Sequence, residues 1–357
     1  MPFMANEKKH LEIDWAYIWS VDFLFDAMKV ATFVIGVLLL FLSIFLIPIY
    51  LIDQPVFVDK FQNTGVVGDT FGGLTAPIIA FIGAILTFFA FYVQYEANQA
   101  QNLNFKIQQF EGIFFEMVRL HRDNVAEIEV NGKRARNAFV ELKKDFNFLY
   151  RTIKGVDKNA YIIEPIKRIE ATYLFFYLGL NYNKEVLEHH LNKIVGEINY
   201  YDDAFGKNVS FSKTLISYLP YDVAKQNEID KEWAEDDFYR PSHRIGLQDQ
   251  SGFQSQLGHY FRHLFQTVKF VHNSDFLTPN QKYNYVKTLR AQLSTYEQAL
   301  LFYNSVSTFG KKWELEPEDE HSKLISTYHL IKNLPLKGFT EDIQPDEIYP
   351  KVDYELK

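Results

Sequence analysis

Two stretches of this chain carry no charge and are long enough to cross a bilayer. Residues 30–52 read VATFVIGVLLLFLSIFLIPIYLI, 23 in a row, and residues 74–93 read LTAPIIAFIGAILTFFAFYV, 20 in a row. A helix rising about 1.5 Å per residue needs about 20 such residues to cross ~30 Å of hydrocarbon. Core helices of soluble proteins more often show a polar stripe or a shorter run. A cleaved leader does not fit, because 29 mixed-charge residues precede the first run and no small-residue cleavage site follows it. The sequence therefore predicts two retained transmembrane helices, 30–52 and 74–93, joined by a short non-cytoplasmic loop at 53–73.

Composition narrows what hangs from them. The chain has 357 residues, 37 basic against 45 acidic, a net charge of −8 and no cysteine. Disulfide frameworks and thiolate metal sites are excluded, and the bulk of the chain fits a reducing compartment. A negative balance argues against a nucleic-acid partner, which needs a basic footprint. With 47% apolar residues the chain can build a core, while a mean hydropathy of −0.17 excludes a transporter of many spans.

Lys8, Lys9 and Lys29 precede the first span, Lys60 alone lies in the loop, and Lys106, Arg119 and Arg122 follow the second. That bias is expected to place both termini in the cytoplasm. Residues 1–29 hold Trp15, Tyr17, Trp19, Phe23 and Phe25 and read as an interfacial segment. In the second span Gly72, Ala76, Ala80 and Ala84 recur every four residues, with Gly83 and Thr87 beside them. Small residues on one face let helix backbones approach closely in lipid. This stripe is expected to join the two spans into a hairpin, with neighbouring subunits as a second use. The first span offers Thr32, Gly36 and Ser43, and Pro48 and Pro77 are expected to kink the helices.

The remainder reads as mainly α. Residues 94–130 form a helical stalk, with Leu103, Ile107, Phe110, Phe114, Met117, His121 and Ile128 on a heptad-like seam suited to a coiled coil or to docking on the chain's own core. Asn131-Gly132 marks a turn. A cytoplasmic helical domain follows over 131–333, with helices expected at 134–154, 162–179, 183–199, 257–273, 279–309 and 321–333, an irregular insertion at 200–255, and a proline-spaced tail at 334–357.

Several of these blocks resemble the AbiC-like family of phage abortive infection proteins. The block GVVGDTFGGLTAPIIAFIGAILTFFAFYVQYEANQ contributes Gly65, Gly68, Asp69, Phe71, Gly72, Gly73, Pro77 and Gln94. FEGIFFEMVRLHRDNV contributes Phe110, Glu111, Phe114 and Phe115. LGHYFRHLFQTVKFV contributes Tyr260, Phe261 and Arg262, and YVKTLRAQLSTYEQALLFYNSVS extends the likeness. The resemblance implies bacterial self-sacrifice on infection through the inner membrane, with a phage-derived trigger or a defence-system partner.

Catalytic signatures are sparse. Gly65, Gly68, Gly72 and Gly73 lack the Lys-Ser/Thr of a phosphate-binding loop and read as a tight turn with Asp69 near a helix start. His259 and His263 stand four apart, but Tyr260 occupies the place where a zinc protease needs Glu, and no third ligand is near in sequence. No arginine is followed after four to six residues by histidine, the spacing of one class of helical ribonuclease. The basic residues Lys133–Arg136, Lys143 and Lys144 read as a solvated face that could also meet RNA, headgroups or an acidic partner. No catalytic residue, cofactor or metal is assigned. The reading is a homo-oligomeric membrane effector that disrupts the bilayer; a membrane-tethered hydrolase, and an anchored sensor recruiting a separate toxin, are the alternatives.

Overall fold

The computed structural model describes residues 31–39, 42, 46, 50, 64–156, 163–202, 207–220, 251–316 and 323–356. The interfacial aromatics, Ser43, Pro48 and the stretch 221–250 lie outside them. The chain divides into two compact units, Met1–Ile107 and Gln108–Lys357. Helix α1, Thr64–Glu127, contributes to both.

In unit 1, residues 31–39 are helical. Helix α1 starts at Thr64, so residues 64–73 are helix where the sequence predicts loop. The glycines at 65, 68, 72 and 73 thus make no turn, and Asp69 lies inside the helix. Each glycine costs about 1 kcal/mol in a helix interior, but extending a nucleated helix still gains a hydrogen bond per residue. Pro77 is also inside α1.

In unit 2, α1 ends at Glu127 and a two-residue hairpin follows, β1 (Glu129–Val130) antiparallel to β2 (Lys133–Arg134). Asn131 and Gly132 connect them with φ of 52° and 70°, the doubly left-handed turn for which Asn-Gly is preferred. Ala135 is left-handed too, at φ 53°, and turns the chain into α2 (Arg136–Val156). Helix α3 (Pro165–Leu178) opens on Pro165, and α4 (Lys184–Val195) is capped by the Asn183 side chain on Val186 N–H at 3.1 Å. The region expected to be irregular contains a second hairpin, β3 (Asn199–Asp202) with β4 (Lys207–Ser210), and a helix at residues 211–220.

The expected helix 279–309 is two helices, α6 (Pro279–Arg290) and α7 (Thr295–Val306), after α5 (Gln254–His272). Each has a capping box, Thr278 with Gln281 and Ser294 with Glu297. These satisfy two otherwise unpaired N–H groups apiece and restart the chain at Ser294. A short 3-10 turn at Lys311–Trp313, α8 (Leu324–Tyr328) and α9 (Pro345–Ile348) complete the described elements.

Helix α7 is the axis of the core: every residue from Glu297 to Val306 is buried, and it packs on α2 and α3. A buried helix must satisfy its polar side chains internally. Gln298 donates to the Leu293 carbonyl and accepts from Asn333 N–H; Asn304 donates to Tyr173 Oη at 2.9 Å and accepts from Trp313 Nε1 at 3.3 Å; Ser305 accepts from Tyr349 Oη at 2.8 Å. The segment after 333 is part of this core, since Leu334, Ile343, Tyr349 and Tyr354 are buried. Its Asp342 accepts from Tyr150 Oη and Lys154 Nζ and pairs with buried Arg168 at 3.3 Å. Burial opposes the Asp342 charge, but these partners outweigh it and hold its pKa below the ordinary range.

Candidate functional site

Unit 1 presents an apolar helix surface with no protein over most of it. Thr75–Glu127 is long and apolar enough to cross a membrane; its most apolar 18-residue window has a mean hydropathy of 2.2 and is 6% buried. Phe81, Phe88 and Phe91 are each about two-thirds exposed. Single exposed apolar residues are ordinary, whereas a continuous sleeve of them calls for a non-aqueous neighbour. The less exposed positions, Thr75, Ile79, Ile82, Gly83, Leu86 and Phe89, form one face. Across it lies Gly36, where an added Cβ would come within 2.9 Å of Leu86 Cδ2.

The small-residue stripe sits beside that face. Gly72, Ala76, Ala80, Ala84 and Thr87 are exposed and Gly83 is half-buried. A Cβ added at Gly72, Gly73 or Gly83 would meet nothing within 4 Å. The Thr87 hydroxyl donates to the Gly83 carbonyl at 2.8 Å, which satisfies it without a partner helix.

In unit 2 the seam on α1 becomes a dock. Leu103 is exposed, but Phe110 and Phe114 are buried. Phe110 stacks on Phe270 with centroids 4.9 Å apart and meets Tyr285 edge-on at 5.0 Å. Phe114 meets Tyr285 at 5.2 Å, and Tyr285 donates to Glu111 Oε1 at 2.7 Å. Burial, then that carboxylate, pushes the Tyr285 pKa up to about 12. Thus Phe110, Glu111 and Phe114 are brought together with residues of α5 and α6, while Phe115 stays 53% exposed. Gly68, Asp69, Pro77 and Gln94 are exposed on α1, and Gly65 and Phe71 are helical residues of it.

One turn further along, polar groups collect. A cavity of about 630 Å³ is lined by Asn124, Glu127, Gln256, His259, Arg262 and His263, among others. Tyr260, fully buried beneath it, donates to Glu297 Oε1 at 3.1 Å, while Glu297 Oε2 accepts from Ser294 N–H at 2.7 Å. Burial and then Glu297 raise the Tyr260 pKa far above its ordinary value, so it remains a donor. Phe261 is buried and Arg262 faces solvent. His263 Nε2 lies 2.8 Å from the Met117 carbonyl oxygen, which engages that ring nitrogen within the protein. Among the described residues no three His, Asp or Glu side chains group as a metal site.

His121 is the functional candidate that sequence reasoning passed over. It is 1% exposed, lies 5.1 Å from the Tyr260 ring and 6.3 Å from His263, and neither ring nitrogen has a hydrogen-bond partner. Burial, then His263, lowers its pKa to about 4. The signal was present: a histidine on an otherwise apolar seam.

These features define a mainly helical protein with one described helix apolar enough to cross a membrane and a separate, aromatic-rich helical unit. Residues 252–339, from just before α5 to beyond α8, match the model of a family described as Putative phage abortive infection protein. The chain therefore carries an AbiC-like abortive-infection domain, which points to antiphage defence. The match covers the Tyr260–Arg262 block and the 285–307 block; the glycine-rich block and the 110–125 block lie outside it. No curated protein and no solved structure matches the chain.

Proposed function

We propose that this protein is an antiphage effector of the abortive-infection type that acts on the bacterial inner membrane. Its helical unit senses infection, or a defence partner, in the cytoplasm. Its hairpin of spans 30–52 and 74–93, assembled into a homo-oligomer, breaches the bilayer. The observation that carries the reading is the pairing of an AbiC-like segment with a helix whose apolar window is 6% buried. The Gly36–Leu86 approach supports a hairpin, and it leaves the Gly72/Ala76/Ala80/Ala84 stripe open for a neighbouring copy. No Asp, Glu, Lys or Arg occurs between 74 and 93, so a pore would be lined by backbone, hydroxyls and water.

Induction with a voltage-sensitive dye present tests this. Cells are expected to depolarise before they lose viability, and Ala80→Leu is expected to abolish depolarisation with membrane insertion unchanged, because bulk at that position blocks close helix contact. Death with the potential intact would sink the proposal.

A further inference from the structure

Unit 2 has a second cavity, of about 360 Å³, to which His121 contributes. Three arginines line it, Arg122 from α1, Arg134 from β2 and Arg136 from the start of α2, with His121, Asn137 and Gln292. The Asn131-Gly132 turn and left-handed Ala135 place the last two arginines about one cavity. We propose that this cavity binds a phosphate-bearing small molecule of nucleotide size.

The side chains of the cavity favour an anion. Arg122 has no ion pair among the described residues. Arg134 engages Glu129 through Nε at 2.7 Å and Arg136 engages the Gln292 carbonyl through Nη2 at 3.1 Å. Each thus uses one of five guanidinium donors and keeps the rest. With Glu129 counted, the cluster carries a surplus of two positive charges, and planar guanidiniums match phosphate oxygens two at a time.

The start of α2 adds to the field. Its first turn holds no acidic residue, and the residue before it, Ala135, has no side-chain oxygen to cap the free N–H groups. A helix of 21 residues therefore opens on this cavity with its positive end uncompensated. His121 supplies the independent sign: a side chain 1% exposed, lining the cavity, with both ring nitrogens unpartnered. A buried polar group without a partner calls for an explanation, and a ligand entering this cavity supplies one for His121. The apolar wall of Val125, Ala126 and Ala135 suits a ring or an alkyl portion rather than bare inorganic phosphate, and the volume falls in the range of small-molecule sites. This inference stands on unit 2 alone and does not require the membrane reading.

The test is calorimetric titration of the full chain in detergent with four probes: ATP, inorganic pyrophosphate, dioctanoyl phosphatidic acid and adenosine. ATP is expected to bind once per chain, adenosine not at all. Arg122→Ala and Arg136→Ala should each weaken ATP about tenfold or more. Arg119→Ala, on the same helix but already paired with Glu116 and Asp123, should change nothing. Preference for the short-chain lipid over ATP would identify a headgroup as the source of the same phosphate chemistry. Absence of binding by all three phosphates would overturn the proposal, as would equal weakening by Arg119→Ala. Circular dichroism matched to wild type guards against misfolded variants.

Discussion

Phe114→Ala is expected to cost about 3–5 kcal/mol of unfolding free energy, the usual loss when a fully buried aromatic is truncated. Phe114 is 0% exposed and touches Phe110, Phe115 and Tyr285 with centroids 5.2–6.1 Å apart. A methyl group in its place leaves a hole between these rings. A domain of ordinary stability holds only about 5–15 kcal/mol, so the loss reaches a large share of the total. Denaturant titration of the full chain in detergent, followed by tryptophan fluorescence, reads it as a lower midpoint. The neighbouring Phe115→Ala provides the contrast. At 53% exposure it should cost under about 1 kcal/mol. Equal effects at the two positions would show that α1 is not docked as described.

Acid should destabilise unit 2 through His121. Its pKa falls from the ordinary 6.5 to about 4 because burial, and then His263, disfavour the charged ring. The unfolded chain takes up a proton below 6.5 and the folded chain does not until about 4. Above pH 6.5 the group is therefore neutral to stability, and between 6.5 and 4 stability falls as pH falls. The full gap corresponds to roughly 3 kcal/mol. His190 and His329 are also lowered by burial and add in the same sense. Asp342 acts only below this window, since its own pKa is held under 3.8. Thermal melts of wild type and His121→Leu at pH 7.5, 6, 5 and 4 should separate toward low pH, the wild type losing more stability than the variant. Parallel curves for the two proteins would refute the assignment.

The sequence reveals what depends on composition and local pattern. Charge-free length marked the apolar segment 74–93, Asn131-Gly132 marked a turn but not the two short strands it joins, and the seam marked Phe110, Phe114 and His121 on one side of α1. Where propensity and tertiary context disagree, the reading failed. The glycines at 65–73 suggest a turn on propensity, yet they form the first turns of a 64-residue helix. The break at 291–294 is legible in Ser294-x-x-Glu297, but continuous apolar spacing across it concealed the stop. The site was the least legible part. Arg122, Arg134 and Arg136 come from α1, β2 and α2, and Gln292 from the connection between α6 and α7; their meeting is tertiary, which no local spacing encodes. The sequence offers no sign that Glu297 holds Tyr260, a contact made only by the burial of α7.

The central claim is that the apolar part of α1 sits in lipid, and fractionation tests it most directly. Full-length protein produced in bacteria should sediment with membranes and resist extraction by alkaline carbonate, entering solution only with detergent. Recovery in the carbonate supernatant, or in the cytosol, would contradict the account.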